Sequence, residues 1–597
     1  MYIIVLQTLV NSKKEEKFAS QPFIIKFLRL VIFLRFSMFI PTTKKELDAL
    51  GWEKCDIIFI SGDAYIDTYF DGCALLGKYL IKHGFRVGII SQPDINSPDD
   101  ISRLGVPELF WGVSGGAMDS MVANYTSLGL RRKEDDLTPG GINNKRPDRA
   151  VLKYVNLIQR TFTEKKLITI GGIEASLRRF AHYDSHTDKI RGSILADSKA
   201  DILVFGMGER ANLELAETLK NGGNIEEIRG ICRMAKNAPE GFVQLPDFEE
   251  CAASKDKFLE MSKLFFNSCK LKKGIFQKQA GRFVVQNPPA RPLTSAELDE
   301  IHELDFERKV HPYYAAMGEV RALDTIKTSV LTHRGCFGAC SFCSITAHQG
   351  ADIISRSEES IIREITKMAK QPDFNGVISD LGGPTANMYG MDFVKGENGH
   401  CALRECLFPK VCDKLPLDHS RQIALLKRVR KIKNIKHIFI SSGIRYDLIL
   451  ADKVHGVEYL TEILTHHISG QMKIAPEHII KEVTDLMNKP DGRNLKEFKE
   501  LFDRTVRKLK SPLFLTYYFI AAFPGCTERD QIEAKKFISS ILKTNPKQVQ
   551  IFTPTPSTEA TALYWTEKSF DGKKIFVEKN FSKRKRQKEI ITERKKI

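Results

Sequence analysis

From Asp56 onward, short apolar runs alternate with longer stretches in which apolar residues recur every three or four positions. Asp56-Ile-Ile-Phe-Ile-Ser61 is an apolar β run, residues 72–83 have helical spacing, and Phe85-Arg-Val-Gly-Ile-Ile-Ser91 reads as a second strand, which together make a βαβ unit. Later runs at 109–113, 167–170 and 201–205 each lead into glycines at their carboxyl ends, where doubly wound sheets take ligands. The alternation resumes near residue 325. There 377–380 enters Leu381-Gly-Gly-Pro-Thr-Ala-Asn387, 437–440 enters Ser441-Ser-Gly-Ile-Arg445, and 472–474 enters Ala475-Pro-Glu-His478. Strand ends with glycine, hydroxyl and charged groups are what a parallel barrel gathers on its active face. The pattern predicts an α/β chain: a doubly wound, Rossmann-like domain over 38–250, a linker and pre-barrel segment over 251–324, a partial (β/α) barrel over 325–565, and a basic C-terminal tail over 566–597.

A chain of 597 residues has room for two or three domains. The net charge of +17 suggests nucleic acid until it is divided along the chain: residues 1–37 carry +4 and residues 581–597 carry +6, which leaves +7 for everything between. Contact with nucleic acid is therefore confined, if made at all, to the basic tail. Residues 23–40 are apolar but interrupted by Lys26, Arg29 and Arg35, a poor membrane span with no signal-type cleavage site after it. Met38 reads as a natural start, with residues 1–37 as a non-native or weakly ordered extension. The expected setting is cytoplasmic, without a membrane, and the 12 cysteines fit a reducing compartment better than a disulfide framework.

The strongest chemical signal is Cys336-Phe-Gly-Ala-Cys340-Ser-Phe-Cys343, which follows the β-rich stretch 326–333. Cubane iron–sulfur clusters usually take four cysteines, so three in a compact loop leave one iron free to bind another molecule. The competing reading is a structural zinc site with His333 or His348 as fourth ligand. A second set, Cys401, Cys406 and Cys412, lies in an irregular insertion and matches no common zinc spacing. It leaves open an auxiliary iron–sulfur cluster or a zinc site, with His419 or Cys526 as conceivable further ligands.

The Cys336 loop resembles that of the radical S-adenosylmethionine (SAM) superfamily. The resemblance implies that Cys336, Cys340 and Cys343 hold a 4Fe-4S cluster, that SAM chelates the open iron, and that reductive cleavage of SAM yields a 5′-deoxyadenosyl radical. It implies a ring at Phe342 against the adenine and backbone contacts to SAM at Gly382 and Gly383. Ser442 and Arg445 become candidates for the ribose and carboxylate, because a hydroxyl and a forked guanidinium suit those groups. Tyr389 and Glu477 are unranked candidates for a role in hydrogen abstraction.

The strand ends Gly112-Val-Ser114, Thr169-Ile-Gly-Gly172 and Gly206-Met-Gly-Glu209 resemble the cobalamin-binding-like domain that precedes many such barrels. The base-off cobalamin signature is Asp-x-His-x-x-Gly, and Asp67-Thr-Tyr69-Phe-Asp-Gly72 has tyrosine in place of the cobalt-ligating histidine. This argues against cobalamin without closing the door on a mode that needs no lower protein ligand. Ser61-Gly-Asp-Ala-Tyr-Ile-Asp67, Gly171-Gly-Ile-Glu-Ala-Ser-Leu-Arg-Arg179, Ala181-His-Tyr-Asp184, Gly382-Gly-Pro-Thr-Ala-Asn-Met-Tyr389, Lys473-Ile-Ala-Pro-Glu-His478 and Gln548-Val-Gln-Ile-Phe-Thr-Pro-Thr-Pro556 extend the resemblance. In this order they resemble YgiQ-type radical SAM proteins over about residues 38–570. The resemblance implies a radical SAM enzyme with an unassigned substrate, fed by a reductant such as flavodoxin or ferredoxin. Methylthiotransfer and methyl transfer are variants of that reading. The alternative is a non-enzymatic zinc or iron–sulfur protein with basic tails that contact nucleic acid.

Overall fold

The computed structural model describes residues 39–396, 401–402 and 405–593. The proposed extension over 1–37 and the start at Met38 lie outside the described residues.

The first half of the chain builds a nine-stranded sheet and a hairpin. Its strands are β1 (Ile57–Ser61), β2 (Val87–Ser91), β3 (Phe110–Ser114), β4 (Leu167–Gly171), the hairpin β5 (His182–Asp184) and β6 (Lys189–Arg191), β7 (Ile202–Val204), β8 (Ile231–Ala235), β9 (Val243–Gln244), β10 (Ile275–Gln279) and β11 (Arg282–Gln286). Strands β2-β1-β3-β4-β7 pair in parallel in that order. β1 is buried along its whole length, as a central parallel strand with both faces covered must be. Its side chains divide by the two-residue period of a strand: Ile58 and Ile60 enter the core with Trp111 and Tyr154, while Ile57 and Phe59 enter the other with Ile89 and Phe110. This is the doubly wound, Rossmann-like arrangement.

Beyond β7 the sheet continues through antiparallel pairs, β8 against β7, β11 against β8 and β10 against β11. The hairpin β10–β11 falls in the segment expected to be a linker. Its apolar positions Ile275, Val284 and Val285 are buried, so this stretch is part of the sheet rather than a connection.

The second half forms an arc of parallel strands. β12 (Ser329–Leu331) pairs with β16 (Asp380–Gly382), and β15 (Val377–Ile378) pairs with β17 (His437–Ile438). A bridge from Ile444 to Ile474 leads on to β18 (Gln471–Glu477), β19 (Phe514–Ala521) and β20 (Gln548–Ile551). The helix Gly492–Leu509 covers the arc with Leu495, Phe498 and Phe502, whose spacing of three and four puts them on one face. A short antiparallel ribbon, β13 (His333–Arg334) with β14 (Ile354–Ser355), leaves the first barrel strand and encloses the Cys336 loop. This is the partial (β/α) barrel expected.

The C-terminal stretch is not a free basic tail in its described part. The helix Phe581–Thr592 docks on the last barrel strands. Ile590 and Ile591 are buried, Gln587 accepts the Ala522 N–H at 3.0 Å, and Arg584 donates to the Phe552 carbonyl at 2.6 Å. Burial of two isoleucines outweighs the solvation of the flanking lysines, which keep their charged ends in water. Among the described residues no helix is long and apolar enough to cross a membrane.

Candidate functional site

The Cys336 loop starts at a close approach. Gly335 has φ +82°, and a Cβ there would lie 1.7 Å from the Asp352 carbonyl oxygen, so only glycine lets the two arms of the β13–β14 ribbon meet. Cys336 Sγ lies 3.2 Å from Thr385 Oγ1 and accepts the Gly338 N–H at 3.4 Å. Cys340 Sγ accepts from Arg445 Nη1 at 3.5 Å. Burial pushes the Cys336 and Cys343 thiols up, Cys343 to about 12, with the neighbouring sulfurs adding to the effect. The three sulfurs do not all lie within 4.8 Å of one another. The one trio of His, Cys, Asp or Glu within that distance among the described residues is Asp418, Asp452 and His455, away from the loop.

Neither histidine considered as a zinc ligand completes the set. His333 is fully buried with Nδ1 2.9 Å from Thr332 Oγ1 and its ring against Gly383. His348 turns its Nδ1 to Ser176 Oγ at 3.1 Å, across to the first domain.

The strand ends expected to meet SAM do converge on the loop. A Cβ on Gly382 would lie 2.8 Å from Ser442 Oγ, and one on Gly383 would lie 2.4 Å from the His333 ring, so both positions exclude a side chain. The Ser442 hydroxyl donates to Asp380. Arg445 is held by Asp447 through a fork, Nε to Oδ1 at 2.8 Å and Nη2 to Oδ2 at 2.6 Å, which leaves Nη1 for Cys340. Asn387 clamps the same turn: its Oδ1 accepts the Arg445 N–H at 2.8 Å and its Nδ2 donates to the Arg445 carbonyl at 3.0 Å. Thr385, Asp380 and Asp447 are supporting residues that sequence reasoning missed. Asp447, two residues after Arg445, carried the only local signal.

Phe342 packs edge-on against Phe523, with ring centroids 6.1 Å apart. Tyr389 is fully buried in the barrel core with its hydroxyl on the Arg356 carbonyl at 3.2 Å, which removes it as a candidate for hydrogen abstraction. Glu477 has φ +67° where the β18–β19 register shifts. Burial pushes its carboxyl up, while Lys489 and Arg445 pull it back.

Cys406 and Cys412 sit in an apolar cluster with Phe337, Ile353, Met391 and Phe393 that also touches Cys336, and the Cys412 N–H bonds the Cys406 carbonyl at 2.8 Å. Cys401 is exposed. The further ligands considered for this set are engaged elsewhere. His419 holds Asp452 through Nδ1 at 2.7 Å and faces Asn387 through Nε2 at 3.2 Å, and Cys526 lies 3.5 Å from His478 Nε2 and accepts from Gln531 at 3.2 Å.

The Rossmann-like domain adds a wall to the loop. Arg334 Nη1 donates to Glu209 Oε1 at 2.6 Å, beyond the carboxyl end of β7. Between that end, β11 and the cysteine loop lies a cavity of about 320 Å³ lined by Arg179, Phe205, Gln286, Cys340, Cys343 and His348 among others. The crevice at the ends of β1 and β3 is instead filled by the chain itself. Arg146 is buried on Asp63 and, at 3.2 Å, on Asp135, and Asp63 accepts the Ala117 N–H at 2.6 Å. Tyr69, at the position of the missing cobalt ligand, donates to Glu364 at 2.8 Å and accepts the Leu331 N–H of β12 at 3.2 Å. It fastens the first domain to the barrel.

The family profile described as Radical SAM N-terminal matches residues 39–329. A UPF0313 protein of Fusobacterium nucleatum subsp. nucleatum is 53% identical over 94% of this chain and 99% of its own. One from Thermotoga neapolitana is 46% identical over 94% and 99%, and one from Methanocaldococcus jannaschii is 44% identical over 93% and 92%. Among solved structures, the radical SAM methyltransferase TsrM of Kitasatospora setae with cobalamin and a 4Fe-4S cluster bound aligns at TM-score 0.48 and 14% identity, covering 85% of this chain and 73% of that one. The cobalamin-dependent SAM radical enzyme OxsB, with aqua-cobalamin and SAM bound, aligns at 0.45 and 11%, covering 88% and 56%.

Proposed function

The chain belongs to the UPF0313 family of YgiQ-type radical SAM proteins, and from that membership we propose that it is a radical SAM enzyme with Cys336, Cys340 and Cys343 as ligands of a 4Fe-4S cluster. The observation that carries the reading is the convergence of three cysteines of one loop, without a fourth protein ligand among the described residues, on barrel strand ends that carry Gly382, Gly383, Ser442 and Arg445. When bound together, the cluster and SAM supply a 5′-deoxyadenosyl radical able to abstract a substrate hydrogen.

The residues of the chain orient and shield. Gly382 and Gly383 offer backbone where a side chain would collide, the close approach a chelated amino acid needs. Arg445, fixed by Asp447, presents one N–H edge toward Cys340 and places positive charge beside thiolates once they lose their protons. Thr385 offers its hydroxyl to Cys336. Excluding side reactions is the protein's task in such chemistry, and the Rossmann-like wall of the cavity covers the loop for that purpose.

Anaerobic reconstitution of wild type and Cys340→Ala, with iron and sulfide analysis and a SAM cleavage assay, tests the proposal. Wild type is expected to hold about four irons per chain and to release 5′-deoxyadenosine, and the variant to do neither. A count near twice that would place a second cluster at Cys401, Cys406 and Cys412. Colourless protein with stoichiometric zinc and intact SAM would overturn the proposal in favour of a zinc scaffold.

A further inference from the structure

The cavity beside the cysteine loop holds an unbalanced buried charge. Arg179 follows the helix Gly172–Ser176 and is 5% exposed, with its guanidinium carbon 4.5 Å from the ring centre of Phe205 and 5.2 Å from that of Phe265. Among the described residues no carboxylate pairs with it, and its Nε has no hydrogen-bond partner. The polar group it meets is the Cys269 thiol, which burial holds in its neutral form, so it supplies no countercharge. Of the other cations around the cavity, the buried Arg334 and Lys395 pair with Glu209 and Glu405, the partly exposed Arg210, Lys270 and Lys272 pair with Glu297, Glu559 and Asp352, and Arg291 is exposed to solvent. Gln286, at the end of β11, is 1% exposed, and its Oε1 accepts no hydrogen bond.

A buried guanidinium without a counter-ion is destabilising, and so is a buried amide oxygen without a donor. Both unmet groups line one cavity, and that cavity is also lined by Cys340 and Cys343. A guanidinium stacked on aromatic rings offers only its edge, which fits a carboxylate through two parallel N–H···O bonds. One positive charge matches a carboxylate monoanion better than a phosphate dianion. Phe205, Phe265, Pro292 and Leu298 give the cavity an apolar stretch of wall, and the volume is that of a small-molecule site.

We propose that Arg179 and Gln286 form the recognition end of the substrate site, and that the substrate is a small carboxylic acid with an apolar body, its carboxylate on Arg179 and a polar hydrogen donated to Gln286. The word substrate rests on the radical SAM reading of the loop, whereas the binding does not.

The test is calorimetric titration of the anaerobically purified full chain with 3-phenylpropionate, 3-phenylpropanamide, phenylphosphonate and 3-phenyllactate. The propionate is expected to bind and the neutral amide to bind at least about tenfold more weakly. Arg179→Gln should lose the propionate by a similar factor while its unfolding midpoint stays level or rises, because it removes an uncompensated buried charge; Arg504→Gln, at an exposed position outside the cavity, should change neither. Phenyllactate should bind more tightly than phenylpropionate to wild type but not to Gln286→Leu. Equal binding of the amide, a preference for phenylphosphonate, or a large fall in the midpoint of Arg179→Gln would overturn the proposal. Loss of labelled SAM binding in Arg179→Gln would assign the arginine to SAM and overturn it as well. If the chain holds no iron yet binds the carboxylate through Arg179, the enzyme reading fails and the anion site stands.

Discussion

Arg334, two residues before the first loop cysteine, donates through Nη1 to Oε1 of Glu209, 2.6 Å away in the other domain, and both side chains are less than a tenth exposed. Glu209 is the first residue of the helix Glu209–Lys220, so its carboxylate also sits at the positive end of that helix. The pair ties the entrance of the cysteine loop to the carboxyl end of β7, and the cavity lies between them.

Glu209→Gln should therefore strand a buried arginine. A loss of about 3–5 kcal/mol is expected for breaking one side of such a pair, read as a lower midpoint in chemical denaturation together with less iron retained per chain. Replacing both partners, Glu209→Gln with Arg334→Met, should recover most of the stability. If the double variant is no better than the single, the pair is not what joins the domains there.

Gly335→Ala should disrupt the loop at its start. The residue has φ +82° and faces the Asp352 carbonyl oxygen at 1.7 Å from an added Cβ, so strain of at least about 1–3 kcal/mol adds to a collision that the ribbon must open to relieve. Reconstituted iron should fall sharply. Gly443→Ala, with nothing within 4 Å of its Cβ and an ordinary φ, is the matched control and should reconstitute normally.

Tyr69→Phe should cost about 1–3 kcal/mol, because it leaves the Leu331 N–H without an acceptor in a buried place. Tyr69→His should restore the cobalamin signature in sequence without restoring binding, since the side chain faces Glu364 and β12 rather than open space. Visible absorbance of the variant after incubation with hydroxocobalamin and desalting checks this, and a retained corrinoid spectrum would count against it.

Acid should destabilise the fold through buried histidines. Burial, helped by Arg178 and opposed by the Phe180 carbonyl and Asp184, holds His182 down to about 3, and burial holds His478 at about 4. The unfolded chain binds these protons below about pH 6.5 and the folded chain does not, so stability falls as pH drops from there toward pH 4. Each group contributes about 1.4 kcal/mol per pH unit. Denaturation midpoints of wild type and His182→Gln across that range should diverge by one such slope.

The sequence by itself determined the parallel strands β1, β2, β3, β4 and β7, the two parallel architectures, the cysteine loop and the glycine turns. Each is a property of contiguous residues: an apolar run has a period, a glycine a permitted conformation, and three cysteines a spacing that reports on what they can hold. It also gave Arg445, but not the Asp447 that holds it. It misjudged the segments whose fate depends on docking, the hairpin of Ile275–Gln279 and Arg282–Gln286 and the helix Phe581–Thr592, because short polar-rich pieces acquire a buried face only when a sheet edge or barrel is there to cover it. The partners of Arg334, Tyr69 and Arg179 were decided by the tertiary structure alone. Arg334 meets Glu209 across 125 positions of sequence, and Arg179 has no carboxylate partner among the described residues, neither of which a local pattern encodes. Charge balance inside a protein is settled by which elements pack together, and that is where this chain left one arginine and one glutamine facing a cavity.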